Sequence, residues 1–585
     1  MRAWSSGGYA ADMSEARSTR GTPPAIAPPP WSDVLRVARE TFGVEALRPG
    51  QRQLMQAVLE GRCALGILPT GGGKSLCFQL PALFLPKLVV VVSPLIALMR
   101  DQTSRLEKRE VAAAKLDSTL TADEEREALS EIRRAKAEIV YVTPERLERE
   151  DTLAMFAKAG VSLLVVDEAH CVSQWGHDFR PAFLALRDAR RSLGNPPLLA
   201  LTATATPEIE RDILAQLDIR HAEVVRADIR RKNIFLDVRR TASEKAKRDA
   251  LVALLADAGS TPAIVYAATI KIVEEVFNFL AARGTRVTRY HGRLGAKARA
   301  EQQEAFMEGR ADVMVATSAF GMGIDKADVR LVVHVTFPDS LETYYQEAGR
   351  GGRDGKPARA VLLFRWEDRR VQAFFLGGKY PSPADFRRTW RALTELSATG
   401  DALVAWRALA AKSELPERAV KVIVAQLDAM GVAARSPRGI QPLRSFRDDE
   451  ELTAFVISYE ERFITDRQKL EQMIGYAQAR RCRGNTILDY FGDAPADACQ
   501  HCDVCRDGPM VAPAEEVDVP IEVGSAATPA VTRFVPGDLV RHQRFGVGVV
   551  TLRAGDKVTV DFERVGGKTV RAAFLQAGPK PAGLP

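Results

Sequence analysis

The sequence predicts an α/β protein: two parallel-sheet lobes, then a helical, winged-helix-like insertion, a zinc-binding helical module and a small C-terminal β-barrel. Three observations carry that expectation. Short apolar runs at 88–92, 162–166 and 263–266 alternate with amphipathic helical stretches from residue 31 to about 370, the pattern of strands buried on both faces between helices. A glycine-rich loop at 68–75 directly follows another apolar run. Four of the seven cysteines crowd into 482–505, too few overall for a disulfide scaffold and close enough together to point to metal.

Taken in chain order, residues 1–30 are small, polar and proline-clustered without an apolar signal core, and are expected to be disordered. The first lobe is expected over 31–208 and the second over 209–372, sizes that suit domains of ~100–200 residues. From 373 to 447 the pattern turns helical, with apolar spacing of about 3.6 over 417–430 and Gly431 as the stop. That segment is either a displaced winged helix, with Ser413-Glu414-Leu415-Pro416-Glu417 as the turn before a recognition-type helix, or a structural spacer. Residues 448–508 form the zinc module, with two charged amphipathic helices over 459–490. A Pro/Ala/Val/Glu stretch at 509–532 shows no period and reads as a flexible linker. Valine-rich alternating segments punctuated by Gly and Pro then predict the barrel over 533–578.

The net charge of +7, from 82 basic and 75 acidic residues, suits a polyanionic partner but is common among soluble proteins and decides nothing alone. No run of about 18 apolar residues occurs, so no membrane partner is expected and the protein is read as cytoplasmic.

Leu68-Pro69-Thr70-Gly71-Gly72-Gly73-Lys74-Ser75 lies between a strand and a helix candidate, the context of a phosphate-binding loop. Its glycines let backbone N–H groups approach phosphate; Lys74 neutralises the β/γ-phosphates and the Ser75 hydroxyl ligates Mg2+. Leu68 stands where the strict pattern has its first glycine. Asp167-Glu168-Ala169-His170 ends an apolar strand, so Asp167 is the second candidate Mg2+ ligand and Glu168 the group that orients or deprotonates the attacking water. In 346–355, Gln346, Arg350 and Arg353 are the candidates for bringing positive charge and polar contact to the γ-phosphate, Arg353 as the arginine finger. These last three belong to the second lobe, so ATP is expected between lobes.

With these motifs in this order, residues 42–505 closely resemble the RecQ helicases of superfamily 2. The resemblance implies two RecA-like lobes, ATP and Mg2+ as cofactors, and 3′-to-5′ unwinding of DNA in repair and recombination. It implies adenine contacts from Arg48 and Gln51, although Val44 stands where the family usually has an aromatic. It implies nucleotide contacts from Thr70, Gly71, Gly72, Gly73, Gly323 and Asp325, and strand contacts from Ser93, Arg100 and Thr143. Residues 171–181 resemble the family's aromatic-rich loop, implying that Trp175, His177, Phe179 and Arg180 meet unpaired bases; Trp175 and Phe179 are otherwise packing anchors. Two segments depart from the pattern: 266–270 lacks an arginine expected near Ile270, and Arg293 follows Tyr290-His291-Gly292.

Cys482, Cys499, Cys502 and Cys505 have the spacing C-x16-C-x2-C-x2-C. Four thiolates leave no open position, so the expected metal is structural Zn2+. Arg480, Arg481 and Arg483 either meet phosphate or are solvated helix charges. The chain runs from the zinc cysteines straight into the linker, where the family usually places its winged helix. Residues 534–549 resemble the small Tudor-like domain that ends UvrD-type helicases, which implies docking on a protein such as RNA polymerase through His542 and Phe545; a self-contained barrel is the other reading. Two further functions remain open, an RNA-remodelling ATPase and a strand-annealing factor that does not unwind.

Overall fold

The computed structural model describes residues 28–134, 137–173, 181–321, 326–369, 371–372, 383–399, 403–429, 431–436, 439–446, 449–494 and 497–508, together with 539–542, 546–554, 557–562, 566–571 and 575–577. Residues 1–27, Trp175, His177, Phe179, Arg180, Gly323, Asp325, the 509–532 linker and Phe545 lie outside these. Two compact units, 1–510 and 511–585, divide the chain.

In the first unit, seven strands form one parallel sheet: β1 (Ala64–Ile67), β2 (Leu88–Val92), β3 (Ala113–Leu116), β4 (Ile139–Val142), β5 (Val161–Val166), β6 (Leu198–Thr202) and β7 (Glu223–Arg226). Their order is β3-β4-β2-β5-β6-β1-β7. Successive residues alternate between two cores, Val90 and Val92 on one face and Val89 and Val91 on the other. Both faces are therefore covered, which is why β2 is apolar at every position. Because the strands are parallel and β5, β6 and β1 are neighbours, the loops after β1 and β5 open at one edge, where ligands bind in such sheets.

The second sheet is also parallel, with β8 (Ile234–Arg240), β9 (Ala263–Tyr266), β10 (Val287–Tyr290), β11 (Val313–Ala316), β12 (Leu331–His334) and β13 (Ala358–Phe364) in the order β10-β11-β9-β12-β13-β8. Residues 227–233 are the strap between the sheets. The fold is thus the expected pair of RecA-like lobes.

Leu470, Met473, Tyr476, Ile487 and Phe491 of the zinc module share one core with Val238, Ala360 and Leu362 of the second lobe. The module's two main helices are Asp449–Gln478 and Arg483–Tyr490, the first beginning ten residues before the predicted start.

The insertion carries strands as well as helices. Helices Pro383–Thr399, Trp406–Ser413 and Glu417–Ala429 are followed by an antiparallel hairpin, β14 (Ala433–Ser436) and β15 (Gly439–Pro442). Val404 and Ile440 exchange backbone bonds of 2.7 and 2.9 Å, joining the first inter-helix segment to the hairpin. Helix, bridge, helix, helix, hairpin is the element order of a winged helix. Gly431 adopts φ 64° after the third helix, the left-handed stop that glycine permits.

In the second unit, β16 (Leu539–His542), β17 (Gly546–Ala554), β18 (Lys557–Phe562), β19 (Gly566–Arg571) and β20 (Leu575–Ala577) form an antiparallel sheet ordered β19-β18-β17-β16-β20. Val540, Val550 and Val560 are fully buried within it. No helix among the described residues is long and apolar enough to cross a membrane.

Candidate nucleotide cleft and zinc centre

The loop after β1 turns through left-handed backbone at Gly71 (φ 76°) and Gly73 (φ 77°), conformations that cost glycine nothing. Space enforces the same choice: a Cβ on Gly73 would lie 2.5 Å from Gln51 Nε2, and one on Gly72 2.7 Å from the Pro69 carbonyl. Gln51 is buried and donates from Nε2 to the carbonyls of Gly73 at 2.9 Å and Gly72 at 3.3 Å, while its Oε1 accepts from Arg48 N at 2.8 Å. Arg48 in turn donates from Nη1 to the Gly71 carbonyl. Arg48 and Gln51 therefore brace the carbonyl side of the loop, and both line the cleft beside Val44.

That cleft, of about 610 Å3, is walled by both lobes. Lobe one contributes Thr70 to Ser75, Asp167 and Glu168; lobe two contributes Gln346, Arg350 and Arg353. Residues of both lobes thus meet at one cleft, and Gly349 approaches Thr70 so closely that a Cβ on it would lie 3.1 Å from the Thr70 Cβ.

Asp167 is buried at the end of β5, and burial first, then the neighbouring Glu168 carboxylate, pushes its pKa up to about 7 against the pull of Lys74. A buried carboxylate facing a glycine-rich loop and a lysine fits a divalent cation with a nucleotide phosphate. Asp167 and the Ser75 hydroxyl would hold Mg2+, which would supply positive charge to the nucleotide phosphates. Between an unfolded pKa near 3.8 and the folded value, the folded chain binds the extra proton, so stability falls as pH rises through that window and levels off above about 7. Asp167→Asn removes this penalty of several kcal/mol, at about 1.4 kcal/mol per pKa unit. In metal-free buffer the variant is expected to melt higher than the parent, by more at pH 8 than at pH 5.5, and to lose hydrolysis. Equal melting at both pH values would contradict the account.

Glu168 has φ 49° and ψ 48°, a left-handed conformation that costs a non-glycine residue ~1 kcal/mol or more and is held only where the surroundings dictate it. It brings Glu168 Oε2 within 3.4 Å of buried His170 Nδ1, which also meets Thr202 Oγ1 at 3.0 Å. Thr202 Oγ1 donates to the Thr204 carbonyl at 3.0 Å, and Gln346 Nε2 donates across the cleft to Thr204 Oγ1 at 3.2 Å. A polar chain therefore connects Glu168 to the second lobe. Thr202 and Thr204 belong to the hydroxyl-rich run 201–206, whose likeness to a RecQ-family motif implies strand contacts and coupling.

The Sγ atoms of Cys482, Cys499, Cys502 and Cys505 lie within 4.8 Å of one another, and Cys499 and Cys505 are 3.9 Å apart. A tetrahedron with Zn–S of about 2.3 Å requires sulfur separations of about 3.8 Å, so the donor set fits Zn2+. Backbone N–H groups of Cys499, His501 and Cys505 point at the sulfurs of Cys482, Cys499 and Cys502 at 3.3 to 3.4 Å, as suits thiolates.

Residues 48–212 match the DEAD/DEAH box helicase family, 246–355 the helicase conserved C-terminal domain and 440–506 the RecQ zinc-binding family. The probable ATP-dependent DNA helicase RecS of Bacillus subtilis is 35% identical over 470 residues, 79% of this chain and 90% of that protein. This chain belongs to the RecQ family of ATP-dependent DNA helicases. The ATP-dependent DNA helicase RecQ of B. subtilis is 35% identical over 80% of this chain, and that of Haemophilus influenzae 31% over 81%, but the match spans 66% and 64% of those proteins. The chain thus spans about two thirds of the RecQ proteins it matches. Residues 534–576 match a family described as a protein of unknown function (DUF3553).

Within this RecQ chain, the residues expected to touch a DNA strand differ in exposure. Arg100 is exposed and donates to Thr119 Oγ1. Ser93 is 1% exposed and Thr143 7%, and the Thr143 hydroxyl caps the following helix at Arg146 N. Neither hydroxyl is exposed to solvent. Arg483 fits neither sequence reading: it is fully buried and donates to both oxygens of Asp503 at 3.0 and 3.1 Å. Cys77 and Cys171 are buried thiols within the two cores of the first lobe.

Proposed function

We propose that this RecQ protein couples ATP hydrolysis to 3′-to-5′ movement along DNA and unwinds duplexes, in repair and recombination at the bacterial nucleoid. The observation that carries the reading is the cleft itself, where Lys74, Asp167 and Glu168 of one lobe face Arg350 and Arg353 of the other. Lys74 and the loop N–H groups hold the phosphates, Ser75 and Asp167 the Mg2+, and Glu168 the attacking water. Arg353, with Arg350 beside it, neutralises charge that develops in the transition state, and Gln346 carries the state of the γ-phosphate through Thr204. Arg48 and Gln51 read adenine once they release the loop carbonyls. Closing and opening of the cleft with each turnover moves the lobes along the strand.

The 383–442 unit, with its winged-helix element order and Lys421, Arg407 and Arg435 on its surface, acts as the strand-splitting element in this reading. The C-terminal sheet docks a protein partner such as RNA polymerase. The direct test is a short duplex bearing a 3′ or a 5′ single-stranded tail, with ATP. Opening of the 3′-tailed duplex alone is expected; opening of neither, with DNA still stimulating hydrolysis, would leave a translocase without a wedge.

A further inference from the structure

The strap between lobes carries Asp228-Ile229-Arg230-Arg231-Lys232-Asn233, which composition alone would pass over as a basic connector. In space Arg231 is half-buried and gives its guanidinium to four backbone carbonyls. Nη1 donates to Thr70 O at 2.6 Å and Gly349 O at 3.0 Å; Nη2 donates to Gly351 O at 3.0 Å and Gly352 O at 2.9 Å. Thr70 belongs to the phosphate loop of lobe one, and Gly349, Gly351 and Gly352 belong to the loop that carries Arg350 and Arg353 in lobe two. One cation therefore ties together the two loops that must meet for hydrolysis.

The strap is itself fixed to lobe two. Asn233 Nδ2 donates to Gly352 O at 2.7 Å and Lys356 O at 2.9 Å, and Tyr345 OH donates to Ile229 O at 2.7 Å. The packing leaves no slack: a Cβ on Gly352 would lie 2.4 Å from Asn233 Nδ2, and one on Gly71 would lie 3.3 Å from Arg231 Nη1 and 3.4 Å from Arg353 Cγ. Three of the four Arg231 bonds lie within lobe two and persist if the lobes separate. Only the bond to Thr70 depends on closure. A trans peptide sets its N–H opposite its C=O, so holding the Thr70 carbonyl toward the strap turns the Gly71 N–H to the other side, as phosphate binding requires.

Arg231 is also absent from the cleft wall, which it approaches from behind, next to a cavity of about 280 Å3 between the strap, helix Leu341–Ala348 and the zinc module. A guanidinium suits this task because its planar fork presents five donors in fixed directions, which a lysine ammonium does not.

We infer that Arg231 is a positioning residue that reports lobe closure: without touching nucleotide, it locks the phosphate loop to the arginine loop in the closed state and so makes hydrolysis contingent on closure. The inference rests on the ATP-hydrolysis reading above. Its test uses the full chain with Arg231→Met, Arg231→Lys and Tyr345→Phe, and reads DNA-stimulated hydrolysis alongside compaction by small-angle X-ray scattering on adding a non-hydrolysable ATP analogue. Arg231→Met is expected to lower kcat by about tenfold or more while KM and analogue affinity stay within about twofold, and to blunt compaction. Arg231→Lys keeps the charge but cannot span four carbonyls, so it is expected to stay at least about fivefold below the parent. Tyr345→Phe removes only the hydroxyl that pins the strap, and a fall in kcat of about two- to threefold keeps the test informative if Arg231→Met misfolds. A kcat for Arg231→Met within about twofold of the parent, a loss confined to KM, or full rescue by lysine would overturn the inference. If the parent itself did not hydrolyse ATP, the functional reading would fail, whereas loss of compaction in Arg231→Met would still uphold the lock and unchanged compaction would sink it.

Discussion

Hydrolysis of ATP by Glu168→Gln is expected to fall by about a hundred- to a thousandfold, with DNA binding retained. The amide has the size of the carboxylate and can keep the left-handed backbone at 168, so what is removed is the capacity to accept a proton from water. Lys74→Ala is expected to lose hydrolysis to a similar extent for a different reason. The loop would keep its fold, which the glycines and Gln51 maintain, but the ammonium opposite the β/γ-phosphates would be gone. The two variants separate by nucleotide affinity, which should weaken in Lys74→Ala and hold in Glu168→Gln. Turnover within about tenfold of the parent in either would remove that residue from its assigned role.

Much of this site was legible because its chemistry is written in contiguous residues. A glycine-rich loop between strand and helix, two carboxylates at a strand end and four cysteines at metal spacing each state their purpose locally, and the parallel sheets bring them to one edge. What could not be read depends on contacts between distant segments. Arg231 and Arg483 both look like surface charges, yet one holds four carbonyls from two lobes and the other is wholly buried on Asp503. Thr202 and Thr204 stand in a motif that implies coupling, but that Thr204 meets Gln346 of the second lobe shows only in space. The hairpin Ala433–Pro442 escaped because its strands are four residues each and include Ala433, Ala434 and Pro442, residues with weak strand preference. Ser93 and Thr143 show the converse, hydroxyls in the expected motifs whose side chains are buried or already committed to a cap.

Loss of zinc, by Cys502→Ser or by chelation, is expected to lower the melting temperature by roughly 5–15 °C and to make 490–508 sensitive to protease. The metal organises more than its own loop. Leu236 N donates to His501 O at 2.9 Å, and Cys502 bridges Leu236 in parallel, so the cysteine loop covers β8, the edge strand of the second sheet. Val238 N donates to Asp503 at 3.2 Å, and the same carboxylate neutralises Arg483. If the loop unravels, Arg483 keeps its place in the core without its partner, a situation that costs about 3–5 kcal/mol, and β8 is left with unpaired backbone groups. Phe491, at the end of the helix that Cys482 begins, stacks edge-on against Tyr345 at 5.4 Å, and the Tyr345 hydroxyl holds the interlobe strap at Ile229. Zinc loss is therefore expected to weaken hydrolysis as well as stability, through Tyr345 and Arg231, although no cysteine borders the cleft. Atomic absorption to verify removal, melting curves and ATPase rates on the same samples decide the matter: a zinc-free protein with the parent's melting profile would mean that the fold, and not the metal, holds the loop on β8.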